Sequence, residues 1–107
     1  MSLRNSQSSF ARNIARLIEW CFCNGYEVTL GESYNAAGTG HMKDSLHYVR
    51  LAQDLNLFKD GIFLTDTKDY SRAGNAWMQL NEMNRWGGTF SKPDGNHFSM
   101  SIGDGRA

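Results

Sequence analysis

The stretch LAQDLNLFKDGIFL, residues 51–64, decides the fold. In its first eight residues one set of alternate positions holds Leu51, Gln53, Leu55 and Leu57, and the other holds Ala52, Asp54, Asn56 and Phe58. This is the two-residue period of a strand with one buried face. Residues 59–61 then predict a tight turn into a second short strand at residues 62–64. We therefore expect a β-hairpin that buries its leucines and projects Asp54 from the opposite face.

Before the hairpin, residues 10–22 carry apolar side chains at three- and four-residue spacing, with polar residues between them. This period predicts an amphipathic helix. Ser8 or Ser9 is the predicted N-cap, and Asn24-Gly25 is the predicted end of the helix.

The remaining elements follow from shorter patterns. Residues 26–30 alternate and predict a strand, whereas the glycines and small residues of segment 31–45 predict a long mobile loop. A second helix is predicted at about residues 67–83, and a final strand at residues 97–102. The inner stripe of that second helix would comprise Ala73, Trp77, Leu80 and Asn84. This order predicts an α+β domain: a small antiparallel sheet with two main helices.

The overall composition limits the class of protein. At 107 residues the chain has the length of one domain, which we assign to residues 1–107. Eleven basic and eleven acidic residues cancel, so no broad field favours nucleic acid or an anionic membrane. There is no apolar run near the roughly 20 residues of a membrane span, and no apolar signal-peptide core. We expect a monomer made in the cytoplasm, without nucleic-acid or membrane partners.

Three polar residues are candidates for a catalytic metal site: His47, Asp54 and His97. Two imidazoles and a carboxylate are a standard catalytic zinc set, because three protein ligands leave a fourth position for water. A straight strand would separate His47 from Asp54 by about 23 Å and a helix by about 10 Å, yet ligands of one metal lie roughly 3–4 Å apart. The chain must therefore double back, and we expect the bend at residues 48–51.

A fourth polar group, Asp94, remains to act on the water. Gly95 would permit a tight turn that brings Asp94 beside a metal bound by His97. Ser45 and Asn96 are candidates for hydrogen bonds that orient the ligands. Capping or turn formation is the alternative explanation for both.

Aromatic residues and a third histidine are also candidates for the site. We expect Trp77 in the core and Trp86 in the packing beneath the metal, with a substrate groove as the alternative for both. His41 is interpreted as an exposed loop residue, with an approach to substrate as the alternative.

Four short motifs carry a resemblance to a known family: Ser45-x-His47, Ala52-x-Asp54, Trp86-Gly87-Gly88 and Asp94-x-x-His97-Phe98. They resemble those of the D-alanyl-D-alanine carboxypeptidases and L-alanyl-D-glutamate endopeptidases, especially the short phage endolysin and prophage members. The match extends from the first helix to Phe98. In that family the positions matching His47, Asp54 and His97 bind zinc, and the position matching Asp94 is the catalytic carboxylate. The resemblance also implies the α+β fold shared with Hedgehog signalling domains.

Two positions depart from the family pattern. Arg50 stands where members commonly have glycine, although a charged residue also occurs in phage-like members. Many relatives carry an arginine in the loop after the first strand, where it helps to stabilise developing negative charge. This chain has Ser33-Tyr34-Asn35 there. Either another group takes that role or activity is reduced.

The resemblance implies zinc-dependent hydrolysis of a peptide bond in peptidoglycan stem peptides. The L-Ala–D-Glu bond is the first choice and the D-Ala–D-Ala bond the second. The alternatives are a wall-binding or virion module that keeps the zinc site without turnover, and a Hedgehog-like interaction domain. An endolysin would reach the cell wall through a holin pore or inside a virion.

Overall fold

The computed structural model describes residues 2–33 and 46–103. Two helices and an antiparallel sheet make up this part of the chain, as predicted for an α+β protein. The regular elements are α1 (Leu3–Cys23), β1 (Glu27–Leu30), β2 (Ala52–Lys59), β3 (Ile62–Phe63), α2 (Ser71–Leu80), β4 (Asn84–Trp86) and β5 (His97–Met100). Short 3-10 turns occupy Leu46–Val49, Thr67–Tyr70 and Gly87–Thr89. Most of the predicted mobile loop, residues 34–45, lies outside the described residues.

The strands form one sheet in the order β1-β2-β5-β4, and β3 pairs with the far end of β2. All of these pairings are antiparallel. Leu55 and Leu57 of β2 are fully buried, so the residues between them point to the other face of the sheet. The predicted hairpin and its alternation are therefore confirmed, and Asp54 lies on the face opposite the leucines.

Both helices pack on the leucine face, and aromatic rings connect them to the sheet. Phe10 of α1 meets Trp77 of α2 edge-on at 5.6 Å, and Trp77 meets Phe98 of β5 edge-on at 6.2 Å. The Trp77 indole N–H donates to the carbonyl oxygens of Arg85 and Ser99 at 2.9 and 3.0 Å. Trp77 is fully buried, which confirms the core position predicted for it.

Helix α1 begins earlier than its apolar pattern predicts. Its N-cap is Ser2, whose side chain accepts a backbone N–H at 3.1 Å, so the predicted cap at Ser8 or Ser9 is wrong. The helix continues back to Leu3 because its buried stripe includes Ser6, a small polar residue that a hydrophobic period does not detect. No helix in the described ranges is both long enough and apolar enough to span a bilayer.

The predicted end of α1 at Asn24-Gly25 is confirmed. Gly25 has a φ of 88°, a left-handed conformation that glycine adopts without a Cβ penalty. The amide of Tyr26 donates to the Cys21 carbonyl, and that of Gly25 to the Phe22 carbonyl. This pair of bonds is a Schellman motif.

Helix α2 is shorter than predicted, and part of its predicted length is a strand. The chain leaves the helix at Asn81, which is extended (φ −163°, ψ 138°). Asn84, predicted on the inner stripe of the helix, instead begins β4 and donates from its side-chain amide to the Trp77 carbonyl at 2.8 Å. This bond satisfies a carbonyl near the helix end. The last strand likewise ends at Met100, two residues before its predicted end.

Candidate metal centre

His47, Asp54 and His97 come together as a possible metal site. One ligand atom from each lies within 4.8 Å of the others. Asp54 of β2 and His97 of β5 are direct partners in the strand register. Because directly opposed residues of an antiparallel pair share a face of the sheet, this pairing alone brings two of the three side chains together.

The third residue, His47, comes from the 3-10 turn before β2. The chain doubles back after this turn, where the Leu51 amide donates to the Leu46 carbonyl at 2.9 Å. Arg50 adopts a φ of 58°, in the left-handed region that favours glycine. The predicted bend at residues 48–51 is confirmed.

Both imidazoles face the same oxygen of the carboxylate. His47 Nε2 lies 3.2 Å from Asp54 Oδ1, and His97 Nδ1 lies 3.7 Å from it. The two imidazole rings meet at 69° with their centroids 5.1 Å apart. His47 is fully buried, His97 is 4% exposed, and the Asp54 side chain is 17% exposed. The three groups are therefore largely withdrawn from water.

The charges of these groups are coupled. Burial by itself raises the pKa of Asp54, but hydrogen bonding and charge from His47 and His97 lower it to a net value of about 2. Burial lowers the pKa of His47, whereas Asp54 and the Ser33 carbonyl raise it, and the net shift is upward. Because its pKa is about 2, Asp54 is an anion at neutral pH. A metal ion binds only the neutral imidazole. The affinity of the site for a metal ion should therefore fall as the pH drops through the raised pKa of His47.

A backbone carbonyl orients His47. The Nδ1 atom of His47 lies 3.2 Å from the Ser33 carbonyl oxygen. When the imidazole is neutral, an Nδ1–H that donates to this carbonyl leaves the Nε2 lone pair directed towards Asp54. Sequence analysis did not identify this contact, because a backbone oxygen has no residue signature.

Gly87 and Phe90 pack around His97. A Cβ added to Gly87 would lie 2.0 Å from the Asp94 carbonyl oxygen and 2.9 Å from His97 Cβ, so the close approach requires glycine. The half-buried ring of Phe90 lies 5.3 Å from the His97 ring. In the sequence, Gly87 stands out as part of the family motif, whereas Phe90 carries no signal that assigns it to the site.

Trp86 packs beneath the turn that precedes His97. Its indole N–H donates to the Gly95 carbonyl at 2.7 Å, and it is 7% exposed. Gly74 of α2 and Gly88 both contact the ring so closely that an added Cβ would lie 2.2 Å from it. The structure thus places Trp86 in the packing beneath this turn, and its predicted position beneath a metal stays a prediction.

We predict that Gly74→Ala destabilises the protein. Within a helix this change normally stabilises by about 0.5–1 kcal/mol. Here the new methyl group would overlap Trp86, and overpacking a core costs about 1–3 kcal/mol. Urea unfolding should show a lower free energy of unfolding. Asn75→Ala at the next, exposed position is the matched control and should stabilise slightly. A Gly74→Ala protein as stable as the wild type would contradict this packing.

The predicted turn that carries Asp94 is present, but the reason for Gly95 differs. The His97 amide donates to the Asp94 carbonyl at 3.2 Å, and the exposed Asp94 donates its own amide to the Gly87 carbonyl at 2.9 Å. Gly95 does not adopt a positive φ. It is glycine because a Cβ would lie 2.7 Å from the Thr67 Cα. Close packing, rather than backbone freedom, therefore accounts for this glycine.

The two residues proposed to orient the ligands have different outcomes. The side chain of Asn96 donates to Asn56 Oδ1 at 3.3 Å and makes no hydrogen bond to a ligand within the described ranges. Ser45 lies outside the described residues. The same is true of His41 and of Tyr34-Asn35, the segment without the family arginine.

Comparison with known proteins identifies the family. The sequence profile described as D-alanyl-D-alanine carboxypeptidase matches residues 39–100, a span that includes all three candidate ligands and Asp94. No curated relative matches the chain by sequence. Among solved structures, the chain is similar to the L-Ala D-Glu endopeptidase ChiX of Serratia marcescens, with a TM-score of 0.72 and 19% identity. That alignment covers 98% of this chain and 87% of ChiX.

The chain therefore belongs to the D-alanyl-D-alanine carboxypeptidase family, a class of peptidases that act on peptidoglycan. Its α+β fold is the fold of ChiX. The predicted family and fold are both confirmed.

Proposed function

We propose that this protein hydrolyses a peptide bond of peptidoglycan stem peptides by means of a zinc ion held by His47, Asp54 and His97. The observation that carries the proposal is the convergence of their ligand atoms within 4.8 Å. The chain that carries these residues belongs to a family of peptidases that act on peptidoglycan. The family membership supports the substrate class, and the side-chain cluster supports the metal.

The donor set fits zinc. Two imidazole nitrogens and one carboxylate oxygen are ligands that zinc takes in catalytic sites, where a fourth position stays open for water or substrate. Asp54 Oδ1 is buried, and although the two imidazoles lie 3.2 and 3.7 Å from it, neither makes a hydrogen bond of good geometry to it. A metal ion between these three groups would give the buried anionic oxygen a fully charged partner. A bound zinc ion supplies Lewis acidity, which makes water a better nucleophile and polarises a carbonyl group.

Residues of the chain supply the remaining chemistry. Asp94 is exposed, its carbonyl accepts from the His97 amide, and its own amide donates to the Gly87 carbonyl. These bonds hold Asp94 next to His97. We propose that its carboxylate accepts the proton of the attacking water and passes it to the departing amine. The Ser33 carbonyl keeps the His47 ring in one tautomer and orientation. Phe90 covers His97 on its ring side, which limits the access of bulk water to this ligand.

The L-Ala–D-Glu bond is our first choice of substrate. Fold similarity to an L-Ala D-Glu endopeptidase supports it. The description of the family as D-alanyl-D-alanine carboxypeptidase supports the D-Ala–D-Ala bond as the alternative. Asp94 argues against a module that only binds the wall, because such a module needs no spare carboxylate.

Digestion of purified sacculi distinguishes these possibilities. Mass spectrometry of the products should show new amino-terminal D-Glu if the L-Ala–D-Glu bond is cut, and free D-alanine if the D-Ala–D-Ala bond is cut. Chelator-treated protein is the matched control and should release neither product. Intact stem peptides after incubation with zinc-loaded protein would contradict the proposed activity.

We also propose that the protein acts at the cell wall as a phage or prophage endolysin, released through a holin pore or delivered in a virion. The wall location of peptidoglycan supports the place of action. Expression in bacteria with and without a co-expressed holin tests the first route. Lysis that depends on the holin supports it, and cells that stay intact in both cases contradict it.

A further inference from the structure

An unassigned polar pair lies beside the candidate metal site on the same face of the sheet. Asn56 follows Asp54 by two residues in β2, so both side chains leave the same face, with their Cα atoms about 6.6 Å apart. In the neighbouring strand β1, the residue paired with Asn56 is Thr29, which is exposed. Asn56 itself is half-buried, so its side chain lies beside the candidate ligand Asp54 on a partly exposed face of the sheet.

The amide of Asn56 is paired with that of Asn96. Asn96 Nδ2 donates to Asn56 Oδ1 at 3.3 Å, and both residues are half-buried. This bond leaves the side-chain NH2 group of Asn56 and the side-chain oxygen Oδ1 of Asn96 without a hydrogen bond to the described residues. If both amides were rotated by 180°, the two residues would exchange roles. In either orientation the pair presents one NH2 group and one carbonyl group.

We propose that the Asn56–Asn96 pair is a substrate-binding subsite that takes an uncharged amide of the stem peptide other than the amide being cleaved. This inference rests on the proposed function. A peptide amide offers one donor and one acceptor, which match the two groups of the pair. A carboxylate would use the donor alone and would lie near the ionised Asp54. An extended chain spans about 3.3–3.6 Å per residue, so the subsite is one to two residues from the scissile bond.

Two substitutions of Asn56 test the subsite. Asn56→Asp keeps an acceptor for Asn96 but removes the outward donor, and Asn56→Leu removes the donor without adding charge. On a complete stem peptide we expect each to lower kcat/KM by roughly 2- to 12-fold, the worth of one neutral hydrogen bond, chiefly through a higher KM. Zinc stoichiometry should not change. Asn75→Asp on the exposed side of α2 is the matched control and should behave as the wild type.

Substrate length separates binding from a structural effect. Two shortened peptides, each truncated on one side of the scissile bond, are compared, and one of the two lacks the amide that the subsite would hold. On one of them the wild type should lose the same factor, and the two variants should lose nothing further. An equal fall in kcat/KM on every peptide, or unchanged kinetics on all of them, would overturn the subsite. Failure of the wild type to cut any stem peptide would instead overturn the proposed function.

Discussion

His47→Ala and His97→Ala should each lose the bound zinc, and their release of amino groups from sacculi should fall to background. Each change removes one of the three proposed ligands, and the two that remain are too few to hold zinc in a catalytic site. His97 is also packed between Phe90 and the second histidine. Metal analysis of the purified variants gives the zinc content, and circular dichroism shows whether the fold is retained.

His41→Ala is the matched control for metal content, because it removes the remaining histidine of the chain. It should keep one zinc per molecule. A folded His97→Ala protein with full zinc content would show that His97 is not a ligand. The same outcome for His47→Ala would assign the site to other residues.

Asp94→Asn should keep its zinc and lose activity by roughly 10²- to 10⁴-fold, the usual contribution of general acid–base catalysis. The amide is nearly isosteric with the carboxylate, and the backbone bonds that hold the turn are unaffected by the change. An amide cannot accept the proton of water at neutral pH. The rate of amino-group release from sacculi measures the effect.

Asp60→Asn is the control for this substitution. Asp60 lies in the hairpin turn with a φ of 53°, a conformation that asparagine also tolerates, so activity should be unchanged. If Asp94→Asn loses its zinc, Asp94 is a ligand and the assignment of Asp54 must be revised. If the variant keeps full activity, another group accepts the proton.

The parts of the fold that sequence predicted are those with a strong local period. The alternation of β2 predicted the face on which Asp54 lies, and the glycine at position 25 predicted the end of α1. His47 and His97 were selected by residue type together with the family motifs, and the structure brings them together with Asp54 as a possible metal site. The spacing of His47 and Asp54 also required a bend, and the chain turns at the predicted residues 48–51.

Elements with polar or backbone determinants were missed. The first turns of α1, which the prediction missed, bury Ser6, a residue that a hydrophobic pattern assigns to the surface. Strand β4 has three residues and takes its position from pairing with β5, a long-range contact that local sequence does not encode. The Ser33 carbonyl that orients His47 could not be identified from any side chain.

The structural reasons for two glycines could not be predicted from the sequence either. The sequence interpretation explained Gly95 by backbone freedom, but its contact with Thr67 is the cause. Gly74 has no sequence signal at all, because a glycine within a helix is normally unfavourable. Only the position of Trp86 against it explains the residue.

Zinc titration of chelator-treated protein tests the central claim most directly, because it measures metal binding and peptidoglycan cleavage in the same sample. The release of amino groups from sacculi should rise in proportion to added zinc and reach its plateau at one zinc per chain. His97→Ala protein titrated in parallel should remain at background. Full activity before any zinc is added, or a titration that restores none, would contradict a zinc-dependent peptidase at His47, Asp54 and His97.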